Sequence, residues 1–236
     1  MSVHPCTVEA LTIERSLYLP VIGLLLTAVM SLLFAVAASD RVYAGTSSVA
    51  HPTKAHQVEG RRHSGPKAYR LMCQRDPALC QADRLAARTA GAGQAADLTA
   101  ERWQALRDVN LRVNNRLAPR DDLEVYGTSD FWTAGRFVGD CEDYMIAKKQ
   151  DLIAAGWAAD QVLYAVVEGI ETPYHAVLIV RTQQGDFVLD NLTDRITRWD
   201  LSGYNFVIRQ SAEQPDRWVR VVDQRTTPIG DQLATR

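Results

Sequence analysis

The chain has 236 residues, of which 47% are hydrophobic, and its formal net charge is −2. This length and apolar content suffice for one full hydrophobic core, so we expect one domain plus an appendage. The slightly negative charge gives no electrostatic preference for nucleic acid, and we expect no nucleic-acid partner.

The appendage lies at the N-terminus. Arg15 precedes an apolar run over residues 17–38, and small residues follow as far as Ala44. This order is typical of a secretory signal, with cleavage after Ala37 or Ala44. The 22 residues of the run are also long enough to span a bilayer, so an uncleaved anchor remains an alternative. In both cases we expect export, and a periplasmic domain.

Composition divides the rest of the chain. Residues 45–67 are poor in large apolar side chains and rich in Gly, Ser, Thr, Pro and basic residues, which is typical of a flexible linker. We predict a folded domain over residues 68–225 and a C-terminal tail over 226–236. From Leu98 onwards, apolar residues recur every three or four positions after Thr99, a suitable N-cap, which predicts a helix that packs on the core.

A second predicted helix begins at Cys141. Asp140 is a good N-cap residue, Glu142 and Asp143 add negative charge in the first turn, and Gly156 offers an end. The thiol would then lie near the positive end of the helix dipole, where a thiolate is favoured. The alternative is a buried structural cysteine.

Strands follow this helix. Runs of β-branched and aromatic residues predict strands at Val162–Val167, His175–Arg181, Phe187–Asp190 and Tyr204–Arg209. Helices first and an antiparallel sheet afterwards make an α+β fold, with the cysteine helix packed on the sheet.

Cys141, His175 and Asp190 supply a nucleophile, a base and an orienting residue in chain order. His175 and Asp190 lie at the outer ends of a predicted hairpin. A turn centred on Gln184–Gly185 would leave them about 13 Å apart along the strands. Contact would then require a turn nearer Thr182–Gln183, or a bulge at Gly185.

The remaining cysteines indicate the compartment. Cys6 precedes the apolar run, whereas Cys73 and Cys80 are separated by six residues, a spacing that can close a short loop. In an oxidising compartment these two are expected to pair, which would leave Cys141 as the odd thiol. Two free thiols are an alternative that such a compartment disfavours. A metal site is weaker still, because no neighbouring Cys or His completes a ligand set.

The strings GDCEDY with the following AK, HAVLIVRT and GDFVLDNL occur in an order and spacing that resemble the bacterial transglutaminase-like cysteine peptidase family. The resemblance runs from about Tyr69 to Val222. It implies a papain-like, transglutaminase-type fold with Cys141 as nucleophile, His175 as general base and Asp190 as the residue that orients the imidazole. It further implies a periplasmic protease that releases a large surface adhesin, as in biofilm control, and an inner-membrane regulatory receptor.

The resemblance also implies calcium, with Asp140, Glu142 and Asp143 as ligands near the cysteine. Charge supports the ion independently, because three carboxylates beside a thiol raise its pKa unless a divalent cation neutralises them. Oxygen ligands suit Ca²⁺. Side chains at positions 140, 142 and 143 of one helix fan out too widely to bind one ion together, so further ligands are sought among nearby acidic residues. The candidates are Asp121, Asp122 and Asp130. The alternative is a solvated acidic helix start.

Three functional classes follow. The first is a cysteine endopeptidase that acts on an exported protein through acylation of Cys141 and hydrolysis. The second is an acyltransferase on the same triad, in which an amine replaces water. The third is a non-catalytic, calcium-dependent binding module. The sequence identifies neither the substrate nor the cleavage site.

Overall fold

The computed structural model describes residues 56–88, 93–168 and 174–222. The helices of this part are α1 Lys67–Arg75, α2 Gln81–Ala86, α3 Ala100–Arg116, α4 Asp122–Tyr126 and α5 Cys141–Ala154. The strands are β1 Val58–His63, β2 Ala118–Pro119, β3 Val138–Gly139, β4 Val162–Glu168, β5 His175–Thr182, β6 Gly185–Leu189, β7 Thr197–Arg198, β8 Asn205–Gln210 and β9 Trp218–Val222. Helices precede most of the sheet, and the predicted α+β fold is confirmed.

Seven strands form one antiparallel sheet in the order β1-β9-β8-β4-β5-β6-β7. Helix α5 packs against β4 and β5, and α3 packs on α5. Strand β4 is buried on both faces: Tyr164 contributes to the core beneath the helices, whereas its neighbours Leu163 and Ala165 contribute to a second core on the other face. The alternation follows from the two-residue period of a strand.

The predicted helix after Thr99 is confirmed as α3. The Thr99 side chain accepts a hydrogen bond from the Arg102 N–H at 3.3 Å, as an N-cap residue does. The apolar stripe of this helix packs in the core, with Leu106, Val109 and Val113 buried. The four predicted strands correspond to β4, β5, β6 and β8, with small differences at their ends.

The structure corrects one part of the predicted linker. Strand β1 lies inside residues 45–67 and pairs with β9 at the edge of the sheet. The composition concealed this strand because an edge strand with exposed and half-buried residues needs no apolar run. The predicted signal or anchor (1–44) and tail (226–236) lie outside the described residues. Within the described part, no helix combines the length and apolar character needed to cross a bilayer.

Cys73 and Cys80 form a disulfide, which joins the last turn of α1 to the segment before α2. The expected pairing of these two cysteines is therefore confirmed. The bond closes a short loop and restricts the unfolded chain, which is the main way a disulfide stabilises a domain.

Candidate active site

Helix α5 places Cys141 in its first turn. The helix begins at Cys141 with Asp140 in the N-cap position, and it ends at Ala154, two residues before Gly156, as the sequence predicts. The backbone N–H groups of the first turn have no partner within the helix, so this end carries partial positive charge. Helix α5 packs against β5, the strand that begins at His175.

His175 and Asp190 are in contact. His175 begins β5, Asp190 directly follows β6, and the distance from His175 Nε2 to Asp190 Oδ1 is 2.8 Å. Both side chains are buried. The structure therefore brings together the two residues that the sequence placed at the outer ends of one hairpin.

The register of that hairpin differs from both arrangements that the sequence suggested. Thr182 pairs with Gly185, so the turn consists of Gln183 and Gln184, and the ladder has no bulge at Gly185. In this register Asp190 lies opposite Val177, two residues before the position opposite His175. Diagonal neighbours in an antiparallel pair remain within reach of long side chains. The turn is thus shifted by one residue from Gln184–Gly185 towards Thr182–Gln183, the direction that contact was predicted to require, and no bulge is involved.

Three further groups hold Asp190. The Tyr204 hydroxyl donates to Asp190 Oδ2 at 2.5 Å, and the Leu192 N–H donates to Oδ1 at 3.1 Å. The Asn114 side chain donates to the Asp190 carbonyl at 3.0 Å. Burial alone would raise the pKa of Asp190, but the bond and charge of His175, the Tyr204 hydroxyl and the Leu192 N–H outweigh it and lower the pKa. Asp190 is thus held as a carboxylate.

Tyr204 is a site residue that the sequence pattern does not predict. The pattern predicts this tyrosine only as the start of a strand, and in the structure β8 begins at the next residue, Asn205. Nothing in the local pattern distinguishes a tyrosine that bonds to a carboxylate from one that packs on a sheet. The contact arises because the loop before β8 approaches Asp190 in space.

A group of buried carboxylates surrounds the start of α5. One carboxylate oxygen from each of Asp122, Asp140 and Glu142 lies within 4.8 Å of the others. Glu142 Oε2 is also 3.3 Å from Cys141 Sγ. All three acidic residues are buried, so a solvated acidic helix start does not describe this end of α5.

Asp143, the third predicted ligand, is directed elsewhere. Its Oδ1 accepts hydrogen bonds from the Thr133 N–H at 2.8 Å and the Thr133 hydroxyl at 3.0 Å. Its side chain also packs so closely on Gly139 that a Cβ there would lie 2.5 Å from the Asp143 Cβ. Asp143 therefore ties the loop before β3 to α5, and it is not part of the carboxylate group formed by the described residues.

Asp122 reaches the group through a short parallel strand pair. Strands β2 and β3 pair Ala118 with Val138 and Pro119 with Gly139, which places the start of α4 beside Asp140. Of the three additional candidates that the sequence offered, Asp122 joins the group. Asp121 lies at the N-cap position of α4, and Asp130 accepts from the Trp132 indole at 2.8 Å.

The electrostatics of the group fit a bound cation. Burial, together with the neighbouring Asp122 and Asp121 charges, raises the pKa of Asp140 to about 7, and burial and the Asp140 charge raise the pKa of Glu142 well above its ordinary value. Both Asp140 oxygens and Asp122 Oδ1 accept no hydrogen bond from the described residues. Buried acceptors of this kind are costly unless a cation or proton satisfies them. The oxygen-only donor set suits a hard divalent ion.

The fold and the site together define a class of protein. A helix that begins with a cysteine and packs on an antiparallel sheet, where a histidine contacts an aspartate, is the arrangement of papain-like cysteine peptidases of the transglutaminase type. The sequence matches the family described as bacterial transglutaminase-like cysteine proteinase (BTLCP) over residues 59–226. The chain belongs to this family, and it is a transglutaminase-like cysteine peptidase.

Other comparisons give weaker similarities. Two structures of LapG from Legionella pneumophila, one of them EGTA-treated, are 24% identical to this chain. The match to the EGTA-treated form covers 56% of this chain and 76% of LapG, with a TM-score of 0.42. The match to the other form covers 56% of this chain and 75% of LapG, with a TM-score of 0.43. A calcium-bound LapG structure is 20% identical to this chain, and the match covers 66% of this chain and 97% of LapG with a TM-score of 0.43. No curated protein matches the chain significantly.

Proposed function

We propose that the chain is a periplasmic, calcium-dependent endopeptidase in which Cys141, His175 and Asp190 form the catalytic triad. The observation that carries the proposal is the 2.8 Å contact between His175 Nε2 and Asp190 Oδ1, beside a helix that begins at Cys141. In a triad of this kind the carboxylate fixes the imidazole orientation and tautomer, and the other ring nitrogen exchanges a proton with the nucleophile.

The reaction follows from these positions. The Cys141 thiolate attacks the scissile carbonyl, and the backbone N–H of Cys141, in the first turn of α5, helps to stabilise the oxyanion. The His175 imidazolium then protonates the leaving amine, which releases one product and leaves an acyl-enzyme. His175 next takes a proton from water, and the resulting attack on the thioester releases the second product and regenerates the thiol.

Asp122, Asp140 and Glu142 are the residues that would hold calcium. A bound ion would neutralise the carboxylates beside the cysteine and so favour its thiolate. Support comes from the unpartnered buried oxygens of Asp140 and Asp122 and from the oxygen-only donor set. Asp143 would act on the site indirectly, since it is not among the three clustered carboxylates and its Oδ1 is bonded by Thr133, although its buried Oδ2 accepts no hydrogen bond from the described residues.

The periplasmic location is supported by the Cys73–Cys80 disulfide, because such bonds persist in oxidising compartments. The apolar run at residues 17–38 is the corresponding export signal or anchor. A peptidase implies a protein substrate. We propose an exported surface protein such as a large adhesin, with control by an inner-membrane receptor, on the basis of the sequence resemblance.

The test compares cells and purified protein that carry Cys141→Ala with the wild type. We expect one surface protein to keep its full length in the variant, and a loss of cleavage of at least ~1,000-fold in vitro. Mass spectrometry of the products distinguishes water from an amine as acceptor: a new free carboxylate supports the peptidase, whereas an added amine would establish an acyltransferase. Undiminished cleavage by the variant would refute the triad, and calcium binding by a protein without Cys141 reactivity would favour a binding module.

A further inference from the structure

We propose that Tyr204 is a positioning residue of the active site, whose hydroxyl holds the Asp190 carboxylate in the orientation that binds His175. The inference rests on the proposed function, because the orientation of Asp190 affects a reaction only if Asp190 and His175 belong to the triad.

The donors are divided between the two carboxylate oxygens: Oδ1 contacts His175 and also accepts from the Leu192 N–H, whereas Oδ2 accepts from Tyr204. Tyr204 donates to Asp190 Oδ2 at 2.5 Å, while His175 Nε2 contacts Oδ1 at 2.8 Å. The Tyr204 and His175 rings also lie together, with centroids 5.7 Å apart and planes inclined by 43°. Rotation of the carboxylate would break both bonds at once. Short bonds to an ionised acceptor are among the stronger hydrogen bonds in proteins.

Asp190 depends on such contacts because it lies just past the end of β6 and has no pairing partner in the ladder of β5 and β6. Tyr204 is itself held in place: its N–H donates to the Ser202 hydroxyl at 3.3 Å, and Gly203 between them adopts a φ of +81°, which favours glycine. The loop before β8 is therefore folded so that the tyrosine reaches the carboxylate.

Loss of the hydroxyl should act on the histidine rather than on fold or substrate binding. Without it, Asp190 Oδ2 loses its donor and the carboxylate can rotate away from His175. A hydrogen bond to a charged group of this kind is consistent with a rate effect of roughly 10- to 100-fold. Because Tyr204 acts through Asp190, its removal should add little once Asp190 has been replaced.

The experiment measures the rate of Cys141 alkylation by iodoacetamide in the full chain, together with the low-field NMR signal of the His175 Nε2 proton. Tyr204→Phe should slow alkylation roughly 10-fold or more and should broaden or move the proton signal. The matched control is Tyr69→Phe, which removes another tyrosine hydroxyl that contacts an aspartate, Asp83 at 3.4 Å, and should change neither readout.

Two further variants sharpen the test. Tyr204→His retains a hydrogen-bond donor and should recover part of the alkylation rate. This variant keeps the proposal testable if Tyr204→Phe does not fold. In an Asp190→Asn background, Tyr204→Phe should lower the alkylation rate hardly any further. If the double variant instead shows the product of the two single rate reductions, the proposal is overturned. If His175→Ala leaves the rate of Cys141 alkylation unchanged, the triad itself is refuted. If His175→Ala lowers that rate but Tyr204→Phe does not, only the role of the tyrosine is refuted.

Discussion

Helix α5 contributes to two buried charged groups that differ in composition. At its N-terminus, Asp140 and Glu142 join Asp122 in a group of carboxylates only. Further along the helix, Lys149 Nζ lies 2.6 Å from Asp83 Oδ1. The first group contributes to none of the ion pairs found among the described residues, whereas the second contains such a pair.

The second group is nearly complete by itself. Lys149 Nζ donates to Gln210 Oε1 at 2.7 Å, and Gln210 Nε2 donates to Asp83 Oδ2 at 2.8 Å. A buried ion pair whose other polar atoms are hydrogen-bonded can stay charged without help from outside the protein. A buried cluster of carboxylates only requires bound protons or an external cation. The sign balance of a buried cluster, and not burial as such, therefore separates a candidate ligand site from a structural ion pair.

The carboxylate group should respond through activity when calcium is removed. A calcium-selective chelator should reduce cleavage at least ~100-fold, because the carboxylates beside Cys141 would again oppose its thiolate and release the loop that positions it. Added Ca²⁺ should restore cleavage, and Mg²⁺ should restore it poorly. Calorimetric titration should show weaker calcium binding for Glu142→Gln and unchanged binding for Lys149→Met.

The rate of Cys141 alkylation against pH provides the control for this prediction. On chelation, the profile should move to higher pH, while the far-UV circular dichroism stays unchanged. If the chelator changes neither the rate of cleavage nor the rate of alkylation, calcium dependence is contradicted and the site is a metal-free papain-type site.

The second group should respond through stability. Lys149→Met leaves Asp83 buried without its partner, and the free energy of unfolding should fall by about 3–5 kcal/mol. Replacing both partners, with Asp83→Leu added, should recover much of the loss because no buried charge remains. Urea unfolding measures both effects. If Lys149→Met leaves the free energy of unfolding unchanged but abolishes calcium binding, the assignment of the two groups is reversed.

Each residue of the proposed triad has a local signal in the sequence. Cys141 follows an N-cap residue, and His175 and Asp190 bound runs of strand-forming residues. Their exact juxtaposition was not predictable, since one residue of turn position changes the register, and the observed turn at Gln183–Gln184 matched neither proposal.

The rest of the site depends on long-range pairing. Asp122 could be named as one of three candidates, but its selection over Asp121 and Asp130 depends on β2 and β3, strands of two residues each. Lys149 offers no sequence signal at all, because a lysine on a helix is typical of a solvated face. Its partners Asp83 and Gln210 come from α2 and β8, and only the packed fold brings them together.

The last prediction concerns the pH dependence of stability and Lys148, which belongs to neither group. Its Nζ is buried and has no hydrogen-bond partner among the described residues, and burial lowers its pKa to about 7 despite the charges of Asp190 and Asp194. Since an unfolded lysine titrates near ~10.4, the unfolded chain binds more protons between these two values, and stability should rise with pH across that interval.

Methionine at this position cannot titrate, so Lys148→Met should stabilise the protein most at pH 7 and progressively less towards pH 10. The difference should change by about 1.4 kcal/mol for each unit of the pKa shift. Urea unfolding at the two pH values measures it, with Lys67→Met as the control at an exposed position. Parallel pH curves for Lys148→Met and the wild type would show that Lys148 remains charged when buried. The lysine would then act as a counter-charge to Asp190 and Asp194, and the variant should be destabilised at every pH.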